Sequence, residues 1–163
     1  MQSHSKSALN RRAGFVFLVL AGAGLLTVRG AFSQAPAQTN RKAIRLPEDN
    51  PQAPFSGGIL TGNTLYLAGR IGLDKSGKAP AEIADEIKIL LDQIKATLEQ
   101  AGMTMDDLVY VQIACTDLSL FDKFNGIYRT YFTTKDLPAR EFIGVASLLR
   151  GGHFELQAIA VRR

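Results

Sequence analysis

The sequence predicts one α+β domain in which a single β-sheet is covered on one face by two helices. The local patterns follow in the order β-β-β-α-β-α-β-β, and two helices suffice to cover only one face of such a sheet. A hydrophobic content of 46% over 163 residues excludes a disordered chain. One cysteine and two histidines exclude a disulfide framework and a zinc site of the usual ligand count.

Residues 1–33 are predicted to be a signal peptide and residues 34–42 a linker. A basic segment precedes the uncharged stretch 13–28, whose apolar part has the length of a signal-peptide core and falls short of the roughly 20 residues that span a bilayer. The small residues Ala31 and Ser33 place the cleavage site after Ser33. We therefore expect an exported protein, periplasmic or secreted, with an uncleaved membrane anchor and a twin-arginine export route as open alternatives.

The positive net charge belongs to this leader. Of 19 basic residues, four lie in the first 33 positions, which contain no acid, so that residues 34–163 carry 15 basic and 15 acidic residues. A neutral domain has no overall field that attracts phosphate backbones, and the sequence therefore does not indicate a nucleic-acid partner. The four basic residues of the leader are Lys6, Arg11, Arg12 and Arg29.

The domain, residues 43–163, begins with three predicted strands. Residues 43–46 form a short first strand, and Ile59-Leu60 pairs with residues 64–68 in a hairpin. Its turn, Thr61-Gly62-Asn63, offers glycine and asparagine for positions of positive φ. The segment Asp74-Lys75-Ser76-Gly77 predicts a further turn before the first helix.

Two helices are predicted from apolar spacing. The stripe of the first helix recurs at steps of three and four, with Pro80 in the first turn and Gly102 as the C-terminal cap. The acids Asp85 and Glu86 are expected on its solvated surface. The second helix is expected within residues 117–130. The stripe of the first helix is Ile83, Ile87, Leu90, Ile94, Leu98 and Ala101, and that of the second is Phe121, Phe124 and Tyr128.

Three further strands are predicted at residues 108–116, 140–145 and 153–162. In the first of them Val109, Val111, Ile113 and Cys115 alternate onto one face, so we expect Cys115 in the core. The opposite face of the sheet also carries apolar residues, such as Ile159 and Val161. No element remains to cover that face, and we expect identical subunits to cover it.

Arg140 is the candidate site residue that the pattern itself singles out. Pro138 stiffens the turn before it, so that the arginine stands where the next strand begins. A rigidly held guanidinium can bind a carboxylate through two parallel N–H donors. The alternative is a surface arginine paired with Glu141 or Asp136.

The segment Pro138-Ala139-Arg140, followed after a gap by residues 154–163 (FELQAIAVRR), resembles the C-terminal signature of the RidA/YjgF family of reactive-intermediate deaminases. Residues 65–69, 93–102 and 124–128 match the family in order and spacing, so the resemblance covers residues 43–163. It implies a chorismate-mutase-like subunit and a homotrimer with active sites between subunits. It also implies hydrolysis of enamines and imines, such as 2-aminoacrylate, to 2-keto acids and ammonia, without a cofactor or a metal.

The resemblance also assigns roles to residues of this chain. Arg140 matches the carboxylate-binding arginine, and Glu155 matches the glutamate that positions or activates water. Gly69 and Asn125 match positions that line the cleft, and the N–H of Phe142 matches a second donor to the carboxylate. The departures from common family residues are Phe55 for tyrosine, Phe142 for cysteine, Glu141 for a small residue, Arg70 for glutamine and Gln157 for a second glutamate.

Strand alternation bears on Glu155 independently of the family. Phe154, Leu156, Ala158 and Ala160 share one face, which places Glu155 on the other, where the subunit interface is expected. An ion pair with Arg140 or Arg162 is the alternative. Two other functions remain open: a non-catalytic module that binds small carboxylates in the same cleft, and ribonuclease activity, against which the neutral charge of the domain argues.

Overall fold

The computed structural model describes residues 40–163. The predicted signal peptide and residues 34–39 of the linker therefore lie outside the described residues, and the leader stays a prediction. The elements are β1 Lys42–Ile44, β2 Gly58–Thr61, β3 Thr64–Ile71, α1 Ile83–Gln100, β4 Leu108–Cys115, α2 Phe121–Tyr128, β5 Ala139–Gly144 and β6 Phe154–Val161, with short 3₁₀ turns at Leu118–Leu120 and Arg129–Tyr131 on either side of α2.

The six strands form one sheet in the order β1-β2-β3-β6-β4-β5. Every neighbouring pair is antiparallel except β4 and β5, which are parallel because α2 connects them as a crossover. Both helices supply buried residues to one core that also contains the inward face of β6. The predicted element order and the layer of two helices on one face are confirmed.

Helix α1 follows its predicted stripe, and all its stripe residues from Ile87 onward are buried. The helix ends in a Schellman motif: Gly102 has φ +69°, its N–H donates to the Glu99 carbonyl, and the Met103 N–H donates to the Leu98 carbonyl. The helix begins at Ile83, so the prediction that Pro80 lies in its first turn was wrong. Pro80 precedes the helix and belongs to the loop that follows the turn at residues 74–77.

The β2–β3 hairpin closes through a two-residue loop, because Thr61 pairs with Thr64. Of the two loop residues, only Gly62 has a positive φ, +57°, so the expectation of a second such position at Asn63 was wrong. One left-handed residue at the first loop position is the pattern of a type II′ turn.

Strand β4 departs from strict alternation near its start. The register with β6 shifts between Leu108 and Tyr110, and the displaced residue, Val109, is exposed rather than in the predicted core stripe. Beyond the bulge, Val111, Ile113 and Cys115 are buried as predicted. Burial raises the pKa of the Cys115 thiol, which indicates a core residue rather than a nucleophile.

The second face of the sheet carries exposed apolar side chains. Tyr66 is 51% exposed and Val161 38%, and Ile159, which pairs with Tyr66, is partly exposed. None of the described helices packs on this face. Within residues 40–163, no helix combines the length and apolar character needed to cross a membrane.

Candidate active site

The predicted site residues fall into two separate groups. Arg140 pairs in register with the buried Val111, so it leaves the sheet on the face that carries the helices. Glu155 pairs with Ala114 and lies between the buried Phe154 and Leu156, so it leaves on the opposite face. Within this chain the two candidate catalytic side chains therefore belong to different cavities.

Arg140 lines a small cavity of about 190 Å³ at the junction of α2 and β5. Asn125, which the family resemblance also assigned to the site, lines the same cavity. The other lining residues are Tyr128, Arg129, Leu137 and Pro138. This cavity therefore contains two guanidinium groups and one amide, and its lining includes no carboxylate.

The electrostatics of Arg140 follow from that composition. Burial lowers the pKa of the guanidinium, and the nearby positive charge of Arg129 lowers it further, while Tyr128 opposes these effects. Burial also raises the pKa of the Tyr128 phenol to about 12, which leaves its hydroxyl protonated at neutral pH. Even with its lowered pKa, an arginine stays charged at neutral pH, so the cavity keeps its positive charge.

Arg140 forms no ion pair with either predicted alternative partner. None of the ion pairs among the described residues includes it. Glu141 is the next residue of the strand and faces the other side of the sheet, where it accepts a hydrogen bond from the Tyr110 hydroxyl at 3.2 Å. The hypothesis of a paired surface arginine is therefore wrong.

Phe142 lies on the same face as Arg140, two residues further along β5. Its ring meets Phe121 edge-on, with centroids 5.0 Å apart, and Phe124 at 5.6 Å. Phe142 therefore joins the aromatic cluster beneath Arg140, and its side chain takes no part in lining the small cavity.

Glu155 lines the other cavity, of about 500 Å³, together with Gly69 and Phe55. A Cβ atom built on Gly69 would lie 2.1 Å from Oε1 of Glu155, so only glycine leaves room for the carboxylate in this position. A shift in the β3–β6 register between Leu67 and Arg70 brings this part of β3 against Glu155. Phe55 is 60% exposed at the rim.

Glu155 is also free of the ion pairs considered as alternatives. Arg162 donates instead to the carbonyl oxygen of Ala101 at 2.6 Å, and Arg140 belongs to the other cavity. Gln157, the next residue on the same face, donates to the Oε1 of Gln112. The carboxylate of Glu155 thus faces its cavity without a cation among the described ion pairs.

The wall beside Gly69 rests on an ion pair that local sequence patterns do not reveal. The guanidinium of Arg70 binds both carboxylate oxygens of Asp49, one of them at 3.0 Å. Burial acts to raise the pKa of Asp49, but the Arg70 contact and the Leu46 N–H together hold it below its ordinary value. The pair joins residues 21 positions apart, so only the folded chain brings them together.

Glu86 was expected on a solvated surface and is instead fully buried. Its Oε1 accepts the backbone N–H groups of His153 and Phe154 at 2.6 and 3.1 Å, and its Oε2 lies 2.7 Å from Nδ1 of His153. The helix stripe passes one residue away from this position, and the pattern alone gave no reason to bury an acid. Glu86 fixes the start of β6, and with it the strand that carries Glu155.

The described residues contain no group of three or more His, Cys, Asp or Glu side chains that could hold a metal ion. The two cavities offer different chemistry instead. The first supplies positively charged N–H donors suited to a small carboxylate, and the second supplies a carboxylate that can accept a proton.

Comparison with known proteins identifies the family of this chain. The family model described as Endoribonuclease L-PSP matches residues 46–162. The 2-iminobutanoate/2-iminopropanoate deaminase of Escherichia coli (strain K12) is 36% identical over 121 residues, which cover 71% of this chain and 94% of the relative. The chain belongs to the RidA/YjgF family. The deaminase of the same name from Bos taurus is 35% identical over 111 residues, covering 67% of this chain and 80% of that protein.

Solved structures of RidA/YjgF proteins share the fold. The YjgF gene product of E. coli has a TM-score of 0.67 and 35% identity, covering 75% of this chain and 99% of that one. A putative endoribonuclease from Thermotoga maritima has a TM-score of 0.69 and 30% identity, covering 75% of this chain and 98% of that one. The family and the α+β fold are therefore shown.

Proposed function

We propose that this protein hydrolyses small imines and enamines of the 2-aminoacrylate type to 2-keto acids and ammonia. The observation that carries the proposal is Arg140: it is half-buried, has no acidic partner among the described residues, and lines a cavity with Arg129 and Asn125. Such a site favours a small carboxylate over a neutral or cationic ligand. The identity to named imine deaminases supports the reaction class.

The chemistry requires little beyond orientation. In the protonated imine C2 is already electrophilic, so a water oxygen adds to C2 and forms a carbinolamine as the C=N π electrons move to nitrogen. The C–N bond then breaks as the hydroxyl oxygen forms the keto C=O, and the hydroxyl proton passes to the departing ammonia, which leaves as ammonium. Arg140 would hold the carboxylate and thereby fix C2, a contribution through proximity.

In the same proposal Glu155 acts on the water. Its carboxylate accepts a proton as the water oxygen attacks and returns one to the departing nitrogen, so that no net proton is lost at the enzyme. A general base in this position accounts for about 10²–10⁴-fold of rate. The contact with Gly69 supports the assignment, because a side chain that fits only against glycine has a defined position.

We further propose a homotrimer in which the Arg140 cavity of one subunit meets the Glu155 cavity of the next. Two features support this assembly: the exposed apolar face of the sheet around Tyr66 and Val161, and the location of the two candidate catalytic residues on opposite faces. One small substrate can contact both residues only if different subunits supply them.

Ammonia release from 2-iminobutanoate, generated in situ by an amino-acid oxidase, tests the reaction. We expect full activity in the wild type and a loss of about 10²–10⁴-fold in Arg140→Ala or Glu155→Gln when each variant is assayed alone. If neighbouring subunits share each site, co-refolding the two impaired variants in equal amounts restores about a quarter of wild-type activity, because one site in four receives both intact residues.

Three results would contradict the proposed reaction or the proposed assembly. Full activity of Arg140→Ala would exclude the carboxylate-binding role, and absence of recovery in the mixed trimer would place both residues within one subunit. A wild type that binds 2-oxobutanoate but releases no ammonia would instead be the non-catalytic module considered from the sequence.

Export of the protein is a separate proposal, supported by the pattern of residues 1–33 alone. Fractionation of the native host followed by N-terminal sequencing of the mature chain tests it. A mature chain that begins at Gln34 outside the cytoplasm is the expected result, whereas recovery of the intact leader in the cytoplasm would contradict it.

A further inference from the structure

Three aromatic rings surround the guanidinium of Arg140. Its Cζ lies 5.1 Å from the centroid of Tyr128, 5.6 Å from that of Phe121 and 5.8 Å from that of Phe142. All three distances lie within the roughly 6 Å over which a cation is attracted to the face of an aromatic ring. The only other charged side chain that lines the cavity is a second cation, Arg129.

We propose that Phe121, Tyr128 and Phe142 are positioning residues, which hold Arg140 in place of an acidic counter-ion. This inference rests on the proposed carboxylate-binding role of Arg140. It adds to that role an explanation of how a half-buried cation is kept in one orientation when no described acid pairs with it.

Aromatic rings suit this task better than a carboxylate would. An acidic partner would take up the N–H donors of the guanidinium and would neutralise the charge that attracts the substrate. Ring faces attract the cation through their quadrupole and leave all its N–H donors available to an incoming carboxylate. The arginine is then ordered before binding, and binding need not supply that ordering.

The rings are themselves fixed by the core. Phe142 meets Phe121 edge-on at an interplanar angle of 85°, and the fully buried Phe124 contacts both Phe142 and Tyr128. Phe142, which this packing holds in place, supplies one of the three rings around Arg140.

Tyr128 contributes its ring and not its hydroxyl. The hydroxyl oxygen is buried and has no hydrogen-bond partner among the described residues. The ring, and not the hydroxyl, is therefore the part of Tyr128 that acts on Arg140.

The test compares Phe142→Leu with Phe132→Leu in the full-length protein. Phe132 belongs to the same cluster and packs on Tyr128 at 4.8 Å, but it is not among the rings over Arg140, so it is the matched control. For Phe142→Leu we expect the Kd for 2-oxobutanoate and the KM for 2-iminobutanoate to rise about three- to tenfold with little change in kcat. Phe132→Leu should change neither the Kd nor the KM. Phe142→Tyr, which keeps an aromatic ring at this position, should have a Kd and a KM close to those of the wild type.

A second measurement tests whether the three rings position Arg140, and it does not depend on turnover. The Nε–Hε resonance of Arg140, assigned by its loss in Arg140→Lys, should be shifted by the ring currents in the wild type and should move toward the random-coil position in Phe142→Leu alone. Thermal unfolding of all variants separates this effect from a general loss of stability.

The outcomes distinguish this inference from the proposed function. If the wild type fails to hydrolyse imines but Phe142→Leu selectively moves the Arg140 resonance and weakens 2-oxobutanoate binding, the positioning role of the rings is supported and the deaminase proposal fails. If the wild type is active and Phe142→Leu matches Phe132→Leu in KM, Kd and the Arg140 resonance, the positioning role is overturned.

Discussion

The two candidate cavities are constructed in opposite ways. Around Arg140 the chain supplies bulk: three aromatic rings and a second arginine enclose the guanidinium. Around Glu155 the chain removes bulk, since Gly69 leaves out the Cβ atom that would occupy the place of the carboxylate. We therefore expect removal of side-chain atoms to impair substrate binding at the first cavity, and addition of a single carbon to impair catalysis at the second.

The difference matches what each step of an imine hydrolysis requires. Holding a carboxylate needs a fixed charge with free donors, which packing against rings provides. Activating a water needs a carboxylate whose position is defined but whose oxygens remain accessible. The charges differ as well, because only the Glu155 cavity contains acids, and there cations balance them. Its charged lining residues are Arg45, Arg70, Arg150, Glu48, Asp49 and Glu155.

The largest expected effects are those of substitutions at Arg140 and Glu155, which should change different kinetic constants. Arg140→Ala should lower kcat/KM by about 10²–10⁴-fold and abolish saturation, because two hydrogen bonds to a charged group are worth about 1.5–3 kcal/mol each. Glu155→Gln should lower kcat by a similar factor with KM within about threefold of the wild type. Steady-state ammonia release over a range of substrate concentrations provides both constants.

Gel filtration of both variants supplies the control, since each should elute as the wild-type assembly. If Glu155→Gln weakens binding and leaves kcat unchanged, its side chain binds substrate and does not act on water, and the functional contrast between the cavities is lost.

Gly69→Ala tests the second cavity by adding one carbon. The new Cβ would require the Glu155 carboxylate to move, so we expect kcat to fall about tenfold or more while the unfolding free energy changes by less than about 1 kcal/mol. Gly126→Ala is the matched control. A Cβ there meets nothing within 4 Å, and in helix α2 alanine should stabilise the fold by about 0.5–1 kcal/mol without altering kcat. Equal kcat in the two glycine variants would disprove the close fit between Gly69 and Glu155.

The sequence was sufficient for the architecture because the architecture follows from local signals. The apolar stripe of α1, its glycine cap and the alternation of β6 each fix an element and its buried face, and together they predicted the sheet with two helices on one side. Alternation alone also placed Glu155 on the face opposite the helices. The error at Val109 has the same origin, since a bulge breaks the alternation and leaves no mark in the residue types.

The details of the site depended on contacts between distant segments. The motif predicted Arg140, but the ring of Phe121 reaches it only through the packing of α2 on β5. Glu86 reads as one polar position of an amphipathic helix, and only the approach of the first residues of β6 turns it into a buried acceptor. Hydrophobic periodicity and secondary-structure propensity do not reveal contacts between residues far apart in the sequence. The Asp49–Arg70 ion pair is a third example of such a contact.

That pair yields the last prediction, which concerns the stability of the Glu155 cavity and leaves the Arg140 cavity untouched. The folded-state pKa of Asp49 lies below its ordinary value of 3.8, so its charge stabilises the fold above that value and the contribution is lost as the pH falls below it. Asp49→Asn should therefore lower the unfolding free energy by about 1–3 kcal/mol at pH 7, and this deficit should shrink below about pH 4. Urea unfolding at pH 7, 5 and 3.5 measures it, with the exposed Asp122→Asn expected to stay within about 0.5 kcal/mol throughout. A deficit that is constant with pH would mean that Asp49 acts through hydrogen-bond geometry and not through its charge.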